Sequence, residues 1–150
     1  MKIGLIADTH GLLRPEALEA LRGCDHIVHA GDIGNPDILR ALQALAPVTA
    51  VRGNNDNHEL WAGVALEHSL RLGEIGVYVT HEMADVPAVL PAGTDVVVTG
   101  HSHKPLQQIR DGVLFVNPGS AGPRRFKLPV TLAILQVQGR EMRVQWLPLM

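Results

Sequence analysis

The sequence has a single cysteine, no surplus of positive charge and no long apolar run, and each of these shortages excludes a class of protein. Because Cys24 is the only cysteine in 150 residues, the chain cannot form an internal disulfide, which fits a reducing compartment. The net charge is -2, which argues against a nucleic-acid surface. No apolar stretch is long enough to cross a bilayer, and no basic segment followed by an apolar one indicates a signal sequence. We therefore expect a cytoplasmic protein that does not contact a membrane.

Hydrophobic residues make up 46% of the chain, which is enough for a packed core, and the length suits one domain spanning residues 1–150. The first third alternates between predicted strands and predicted helices. Apolar segments at 3–7, 26–29 and 48–51 predict strands, and segments beginning at Pro15 and at Asn35-Pro36 predict helices. This βαβαβ order is typical of a parallel sheet with helices packed on it.

The remainder of the chain is richer in predicted strands. Hairpins are indicated at 66–80 around Gly73, at 106–116 around Asp111-Gly112 and at 130–147 around Gly139, with a further strand at 96–98. The sequence therefore predicts an α/β protein with two sheets, one mostly parallel and one carrying hairpins.

Side chains able to bind a metal ion follow directly after the predicted strands. They are Asp8, His10, Asp32, Asn54, His81, His101 and His103. Because ligands bind beyond the carboxyl ends of strands in open parallel sheets, these residues are expected to converge at one edge. Carboxylates, imidazoles and an amide suit manganese, iron, zinc, nickel or cobalt, and the lack of thiolates argues against a structural zinc cluster.

This set of side chains exceeds what one tetrahedral ion needs. If Asp32 bridges two ions, each ion receives four protein ligands and keeps room for solvent. Two ions about 3.5–4 Å apart form a clamp for in-line displacement at phosphorus. Glycine stands beside three of the ligands, at Gly31, Gly53 and Gly100, where a residue without Cβ allows a tight turn or a close approach.

Five short motifs carry these ligands, and their order along the chain is specific. The motifs are Asp8-x-His10, Gly31-Asp32, Gly53-Asn54, His81 and Gly100-His101-x-His103. In this order they resemble the calcineurin-like metallophosphoesterases, and residues 1–125 are similar to the small bacterial and archaeal phosphodiesterase branch of that family. The later segments Asn117-Pro118-Gly119-Ser120 and Pro123-Arg124 are also similar to that branch.

The resemblance implies a four-layer α/β/β/α sandwich, in which two mixed sheets are flanked by helices and a dinuclear centre lies at the sheet edge. It assigns one ion to Asp8, His10 and His103, the other to Asn54, His81 and His101, and the bridge to Asp32. It implies a phosphodiesterase in which a hydroxide between the two ions attacks phosphorus. The candidate catalytic residues are Asp32, Asn54, Asn55 and His101. Manganese is the first expectation for the metal, with nickel, zinc, iron and cobalt as alternatives.

Two residues depart from the family pattern. Asn55 stands where many family phosphatases have histidine, and asparagine can donate a hydrogen bond to a phosphoryl oxygen but cannot protonate a leaving group. Glu82 follows His81 where the family usually has glycine. The long acidic side chain of Glu82 either folds away or restricts anionic substrates.

Other functions stay open at this stage. The nearest alternative is a phosphomonoesterase. A second is a metal-binding scaffold for protein interaction with little activity, like the retromer subunit that resembles this family, and a third is a nuclease. We expect small or extended phosphodiesters as substrates, because a chain of this length cannot carry a large cap over the site. Nucleic acid is not expected as a partner, and a homo-oligomer is an open option.

Outside the motifs, simpler interpretations are preferred. His29 is expected to fill its strand, with a supporting role behind the metal site as the alternative. His58 is expected in a solvated loop, within reach of substrate as the alternative. We interpret the arginines at 52, 124 and 125 as surface charges, with phosphate contact as the alternative. We interpret Trp61 and Trp146 as packing residues, with an oligomer contact as the alternative.

Overall fold

The strands of the computed structural model, which describes residues 1–150, form two five-stranded sheets. In chain order the elements are β1 (Lys2–Ile6), α1 (Pro15–Leu21), β2 (His26–His29), α2 (Pro36–Gln43), β3 (Val48–Ala50), β4 (Glu67–Leu72), β5 (Ile75–Thr80), β6 (Thr94–Val98), β7 (Leu106–Arg110), β8 (Val113–Asn117), β9 (Thr131–Gln138) and β10 (Glu141–Pro148). Short 3₁₀ helices span Glu59–Trp61 and Met83–Asp85. None of the helices combines the length and the apolar character needed to cross a membrane.

Both sheets are mixed, and each has parallel strands at its centre. Sheet A has the order β10-β9-β1-β2-β3, in which β1, β2 and β3 are parallel and the hairpin β9–β10 is antiparallel to them. Sheet B has the order β4-β5-β6-β8-β7, in which β5, β6 and β8 are parallel and the two edge strands are antiparallel. The carboxyl ends of six parallel strands are thus available to build a site.

Local sequence signals account for several element boundaries. Helix α2 begins as predicted, because the side chain of Asn35 accepts a hydrogen bond of 2.9 Å from the N–H of Asp37 and Pro36 occupies the first helical position. The predicted turn between β7 and β8 is confirmed. Asp111 and Gly112 have positive φ angles of 50° and 78°, the backbone that a two-residue hairpin turn requires.

Apolar clusters hold the layers together. The largest lies between the two sheets and joins residues such as Leu5 and Leu135 of sheet A to Val79 and Val98 of sheet B. A second cluster joins sheet A to the helices through Leu21 of α1 and Leu42 of α2, among others. Trp61 is 4% exposed within this second cluster, so its interpretation as a packing residue is confirmed.

The predicted α/β/β/α sandwich of two mixed sheets is confirmed, but its two outer layers are unequal. Both α-helices pack on sheet A. The outer face of sheet B, represented by Tyr78 and Phe115, is covered by Met83, Val86 and Leu90 of the 3₁₀ helix and the loop after it. Proline at positions 87 and 91 removes backbone donors that a longer helix would need, so the covering segment remains short.

Candidate metal centre

The predicted ligands follow the carboxyl ends of parallel strands in both sheets. In sheet A, Asp8 and His10 follow β1, Asp32 follows β2 and Asn54 follows β3. In sheet B, His81 follows β5, and His101 and His103 follow β6. The face-to-face packing of the sheets brings these loops to a common edge, where their side chains form two neighbouring groups.

The backbone at this edge is unusual. Seven non-glycine residues of the chain have positive φ angles, and five of them are predicted ligands: Asp8, His10, Asp32, His101 and His103. Left-handed backbone conformations are uncommon for residues with a Cβ and cluster at functional sites. The loops therefore turn sharply as soon as each strand ends.

The first group consists of Asp8, His10 and His103, whose ligand atoms all lie within 4.8 Å of one another. The Nε2 atoms of His10 and His103 are 3.3 Å apart. Asp8 Oδ1 lies 3.7 Å from Nε2 of His10 and 3.6 Å from Nε2 of His103. This oxygen is buried and has no hydrogen-bond partner, while Asp8 Oδ2 accepts a 3.0 Å bond from the backbone N–H of His101.

The second group consists of Asp32, His81 and His101. His81 Nδ1 lies 2.7 Å from the carbonyl oxygen of Ala30, which can only accept, so this nitrogen carries the ring proton. In the neutral ring the lone pair is thereby left on the buried Nε2, which lies 3.2 Å from Asp32 Oδ2. Burial opposes protonation of this ring, but the contact with Asp32 outweighs it and raises the His81 pKa, so a bound ion would take the place of the Nε2 proton. Asn54 joins this group, since its Oδ1 lies 3.2 Å from Nδ1 of His101.

Asp32 lies between the two groups. Its Oδ2 is 3.2 Å from Nε2 of His81 in the second group and 3.7 Å from Nε2 of His10 in the first. Asn55 donates to both oxygens of this carboxylate, from its backbone N–H at 2.9 Å and from its side-chain amide at 3.0 Å. The carboxylate is thus held in the orientation in which it faces both groups.

Burial and mutual contacts shift the pKa values of this site. Burial, with a smaller contribution from the nearby Asp32 charge, raises the pKa of Asp8 to about 7, although His81 opposes the shift. Burial also opposes ionisation of Asp32, but contacts with His81 and Asn55 outweigh it and hold the Asp32 pKa below its usual range. Burial, and then the Arg125 charge, lowers the pKa of His103 to about 4.

The residues fit divalent metal ions. Buried polar atoms are almost always partnered, yet Asp8 Oδ1 and His81 Nε2 are both buried, unpartnered and 3.8 Å apart. Metal ions require deprotonated carboxylates and neutral imidazoles. The lowered pKa values of Asp32 and His103 favour these forms, and a bound ion would displace the proton that burial favours on Asp8. The chain therefore has candidate ligand groups for divalent metal ions, formed by the residues that the motifs single out.

Asp56 was not among the sequence predictions, although it organises the loops below the site. Its buried carboxylate accepts hydrogen bonds from the N–H groups of Ile33 and Gly53 at 2.9 Å and of Gly34 at 3.1 Å. These bonds tie the loop after β2 to the loop after β3. The only sequence signal for this role is the position of Asp56 shortly after Asn54.

His29 fills the end of β2, as the sequence predicts, and its ring also supports the loops beside the candidate site, the role left as an alternative. It is fully buried, and burial lowers its pKa to about 3, so the ring is neutral. Its Nδ1 accepts from the N–H of Gly31 at 3.1 Å, so Nε2 carries the proton and donates to Thr9 Oγ1 at 3.0 Å. Thr9 Oγ1 in turn donates to the carbonyl of Ile33 at 2.8 Å. The chain of bonds connects the loops that carry Asp8 and Asp32.

Close approach at two glycines is also required, as predicted. A Cβ on Gly53 would lie 2.1 Å from Asp32 Oδ1. A Cβ on Gly31 would lie 2.6 Å from Nδ1 of His81. Side chains at these positions would displace the candidate ligands themselves.

The remaining candidates lie around this centre. Arg124 and Arg125 are exposed and line a cavity together with His10 and His103. His58 accepts a hydrogen bond of 3.3 Å from the N–H of Leu60, which gives it a local role in the 3₁₀ helix Glu59–Trp61.

Comparison with known proteins places the chain in a family. Residues 1–140 match the calcineurin-like phosphoesterase superfamily domain. A probable metallophosphoesterase of Methanothermobacter thermautotrophicus is 36% identical over 154 residues, which cover 95% of this chain and 89% of the relative. The phosphodiesterase YfcE of Escherichia coli K12 is 30% identical over 166 residues, covering 90% of this chain and 87% of the relative.

The solved structure of Vps29 from Chaetomium thermophilum shares the fold, with a TM-score of 0.76 over 97% of this chain and 94% of that chain at 17% identity. Because the family domain matches nearly the whole chain and the enzymes resembling it act on phosphate esters, this protein belongs to the calcineurin-like phosphoesterase superfamily and is a hydrolase of phosphate esters.

Proposed function

We propose that this chain is a dinuclear, metal-dependent phosphodiesterase. The observation that carries the proposal is the position of Asp32, whose Oδ2 lies 3.7 Å from a nitrogen of one ligand group and 3.2 Å from a nitrogen of the other. One ion would be held by Asp8, His10 and His103, and the other by Asn54, His81 and His101, with Asp32 shared between them. Manganese is our first choice of metal, and the mixed oxygen and nitrogen ligands also suit nickel, zinc, iron and cobalt.

Two divalent ions bound there would supply an activated water as the nucleophile and positive charge for the phosphoryl oxygens. The residues of the chain hold the ligands ready for this chemistry. The carbonyl of Ala30 fixes the His81 ring, and Asn55 fixes the Asp32 carboxylate. We propose catalytic roles for Asp32, Asn54, Asn55 and His101, of which Asn54, Asn55 and His101 are exposed and can contact a substrate.

The surroundings of the site favour a diester over a monoester. A cavity of about 230 Å³ lies against His10, His103 and the arginines at 124 and 125. A second cavity of about 420 Å³ lies beside the second ligand group, against Asn54, His81 and Glu82. A phosphodiester has two ester substituents, and each cavity can receive one of them. We therefore propose small or extended phosphodiesters as the substrates.

Residues 1–150 would act as a single domain, because one apolar cluster joins both sheets. We also propose the cytoplasmic location that the sequence leads us to expect. A scaffold function is the second candidate, and it is favoured by the fold that the chain shares with Vps29.

One assay panel tests the proposal. Metal-free protein would be supplied with manganese, nickel, zinc or magnesium, or with chelator, and assayed on bis-p-nitrophenyl phosphate and p-nitrophenyl phosphate. Bound metal would be counted by elemental analysis, and Asp32→Asn would serve as the control. We expect two ions per chain and a preference for the diester that chelator abolishes.

Each other outcome would point to a different function. Faster turnover of the monoester would identify a phosphomonoesterase. Cleavage of single-stranded DNA with a steep salt dependence would identify a nuclease. A scaffold function would be favoured if no metal supported turnover and the chain bound a protein partner tightly. A stoichiometry that stays at one ion per chain would contradict the dinuclear site.

A further inference from the structure

The two ring nitrogens of His101 face different side chains. Nδ1 lies 3.2 Å from Oδ1 of Asn54, inside the second ligand group. Nε2 lies 3.2 Å from Oε1 of Glu82, which follows His81 at the end of β5. Glu82 is therefore not folded away from the site, which was one of the two options left by the sequence, but is in contact with a candidate ligand.

The chemistry of this contact determines where the ring proton lies. An ionised carboxylate can only accept hydrogen bonds, and a neutral imidazole has one N–H and one lone pair. Both ring nitrogens face acceptor oxygens, and a charged carboxylate such as Glu82 is a stronger acceptor than the amide oxygen of Asn54. The contact with Glu82 therefore favours the proton on Nε2 and leaves the lone pair on Nδ1, next to Asn54. That is the arrangement in which His101 and Asn54 present a nitrogen and an oxygen to the same ion.

Packing alone does not hold this ring. The side chain of His101 is 46% exposed, whereas that of His81 is 4% exposed and is fixed by the carbonyl of Ala30. An exposed imidazole can rotate and exchange tautomers unless a second group holds it. A carboxylate on the far nitrogen of a metal-binding histidine supplies that restraint and increases the basicity of the ligand.

We propose that Glu82 is a positioning residue that keeps Nδ1 of His101 directed at the second ion site. The inference rests on the proposed metal site and deepens it. The family pattern usually has glycine at this position, which has no side chain to perform this role, so the restraint is a property of this chain. Glu82 acts through His101 and is not itself assigned as a ligand.

The variants separate positioning from charge. Glu82→Ala removes the contact, whereas Glu82→Gln keeps an oxygen of similar reach that can still accept from Nε2–H but removes the charge. Asp85→Asn is the matched control, because Asp85 is an exposed acid that lines the same cavity as Glu82 and makes no ion pair with His101. Circular dichroism would establish that all three variants fold.

The first readout uses metal-free, ¹⁵N-labelled protein and requires no activity. Long-range ¹H–¹⁵N spectra report the tautomer of each histidine, and a His101→Asn variant identifies the His101 signals. We expect the Nε2–H tautomer to dominate for His101 in the parent chain and in Asp85→Asn. A mixture of tautomers is expected in Glu82→Ala and in Glu82→Gln, whose neutral amide no longer outcompetes the oxygen of Asn54. An unchanged tautomer in Glu82→Ala would overturn the proposal.

The second readout is calorimetric titration of metal-free protein with Mn²⁺ and with Zn²⁺. Loss of a partner behind a metal ligand typically weakens affinity about 10–100-fold, so Glu82→Ala should weaken one binding event by that factor and leave the other unchanged. Glu82→Gln should retain most of the affinity, and Asp85→Asn all of it. Equal losses in Glu82→Gln and Glu82→Ala would show an effect of charge alone and would overturn positioning. If the parent chain bound only one ion, the dinuclear proposal would fail, while the tautomer spectra would still decide the role of Glu82.

Discussion

Asn55 binds the carboxylate of Asp32 through two hydrogen bonds, one from its backbone N–H at 2.9 Å and one from its side-chain amide at 3.0 Å. These contacts help to lower the pKa of Asp32. The sequence suggested that the amide donates to a phosphoryl oxygen, and the two roles are compatible, because an amide nitrogen carries two N–H donors. Asn55 therefore connects the candidate bridging ligand to the exposed side of the site.

Leaving-group protonation should be weak in this protein, because asparagine cannot deliver a proton. We expect rates that depend steeply on leaving-group acidity, with nitrophenyl esters far faster than alkyl esters. Asn55→His should flatten this dependence, since general acid catalysis is typically worth about 10²–10⁴-fold. Asn55→Ala is the control and should lower rates without flattening the dependence. Similar chemical-step rates for alkyl and nitrophenyl esters in the parent chain would show that another acid operates.

Substitution of the candidate ligands should separate activity from folding. Asp32→Asn and His103→Ala should abolish turnover, because the first removes the shared charge and the second a ligand nitrogen. Both side chains lie outside the apolar clusters that hold the sheets and helices together, so circular dichroism should be unchanged. Near-normal activity in either folded variant would place the chemistry elsewhere.

Gly53 offers a steric test of the site. Gly53→Ala would place a Cβ 2.1 Å from Oδ1 of Asp32, and we expect metal affinity and turnover to fall at least about tenfold, since the carboxylate must move. Gly63→Ala is the matched control, because no atom lies within 4 Å of the added Cβ. Its free energy of unfolding should change by less than about 0.5 kcal/mol. Calorimetric metal titration and denaturant unfolding would measure both effects, and normal metal binding by Gly53→Ala would contradict the geometry.

His29 should make stability depend on pH in a defined direction. Burial lowers its pKa from 6.5 to about 3 in the folded chain, so the unfolded chain binds a proton first as the pH falls. The stability contributed by the neutral ring is complete above pH 6.5 and is lost toward pH 3, at about 1.4 kcal/mol per pH unit. Asp8, with its raised pKa of about 7, has the opposite effect in part of this range, so the comparison must be made with His29→Gln at each pH.

Denaturant unfolding of metal-free protein would provide that comparison. The parent chain should have a higher free energy of unfolding than His29→Gln, and this difference should shrink as the pH falls from 6.5 toward 3. A difference that does not vary with pH would show that the ring titrates normally in the folded chain.

Much of the fold could be predicted because its signals are local. Asn35-Pro36 marks the start of α2, and Asp111-Gly112 marks the turn between β7 and β8, since capping and φ preferences act over a few residues. The positions of the candidate ligands could be predicted for a related reason, because each follows an apolar strand. The segment covering sheet B was harder to predict, since a 3₁₀ helix and a loop take the place of a regular layer there.

The sequence by itself determined which residue types stand at the strand ends, and with them the family and the class of chemistry. Only the tertiary structure decided which atoms meet. The N–H of His101 binds Asp8 across 93 positions of sequence, and Asp56 binds the loop at Ile33 across 23. Glu82 meets His101, and Asn55 meets Asp32, because strands from two sheets end at one edge. The orientation of each ligand depends on such contacts, and they form only when both sheets have packed together.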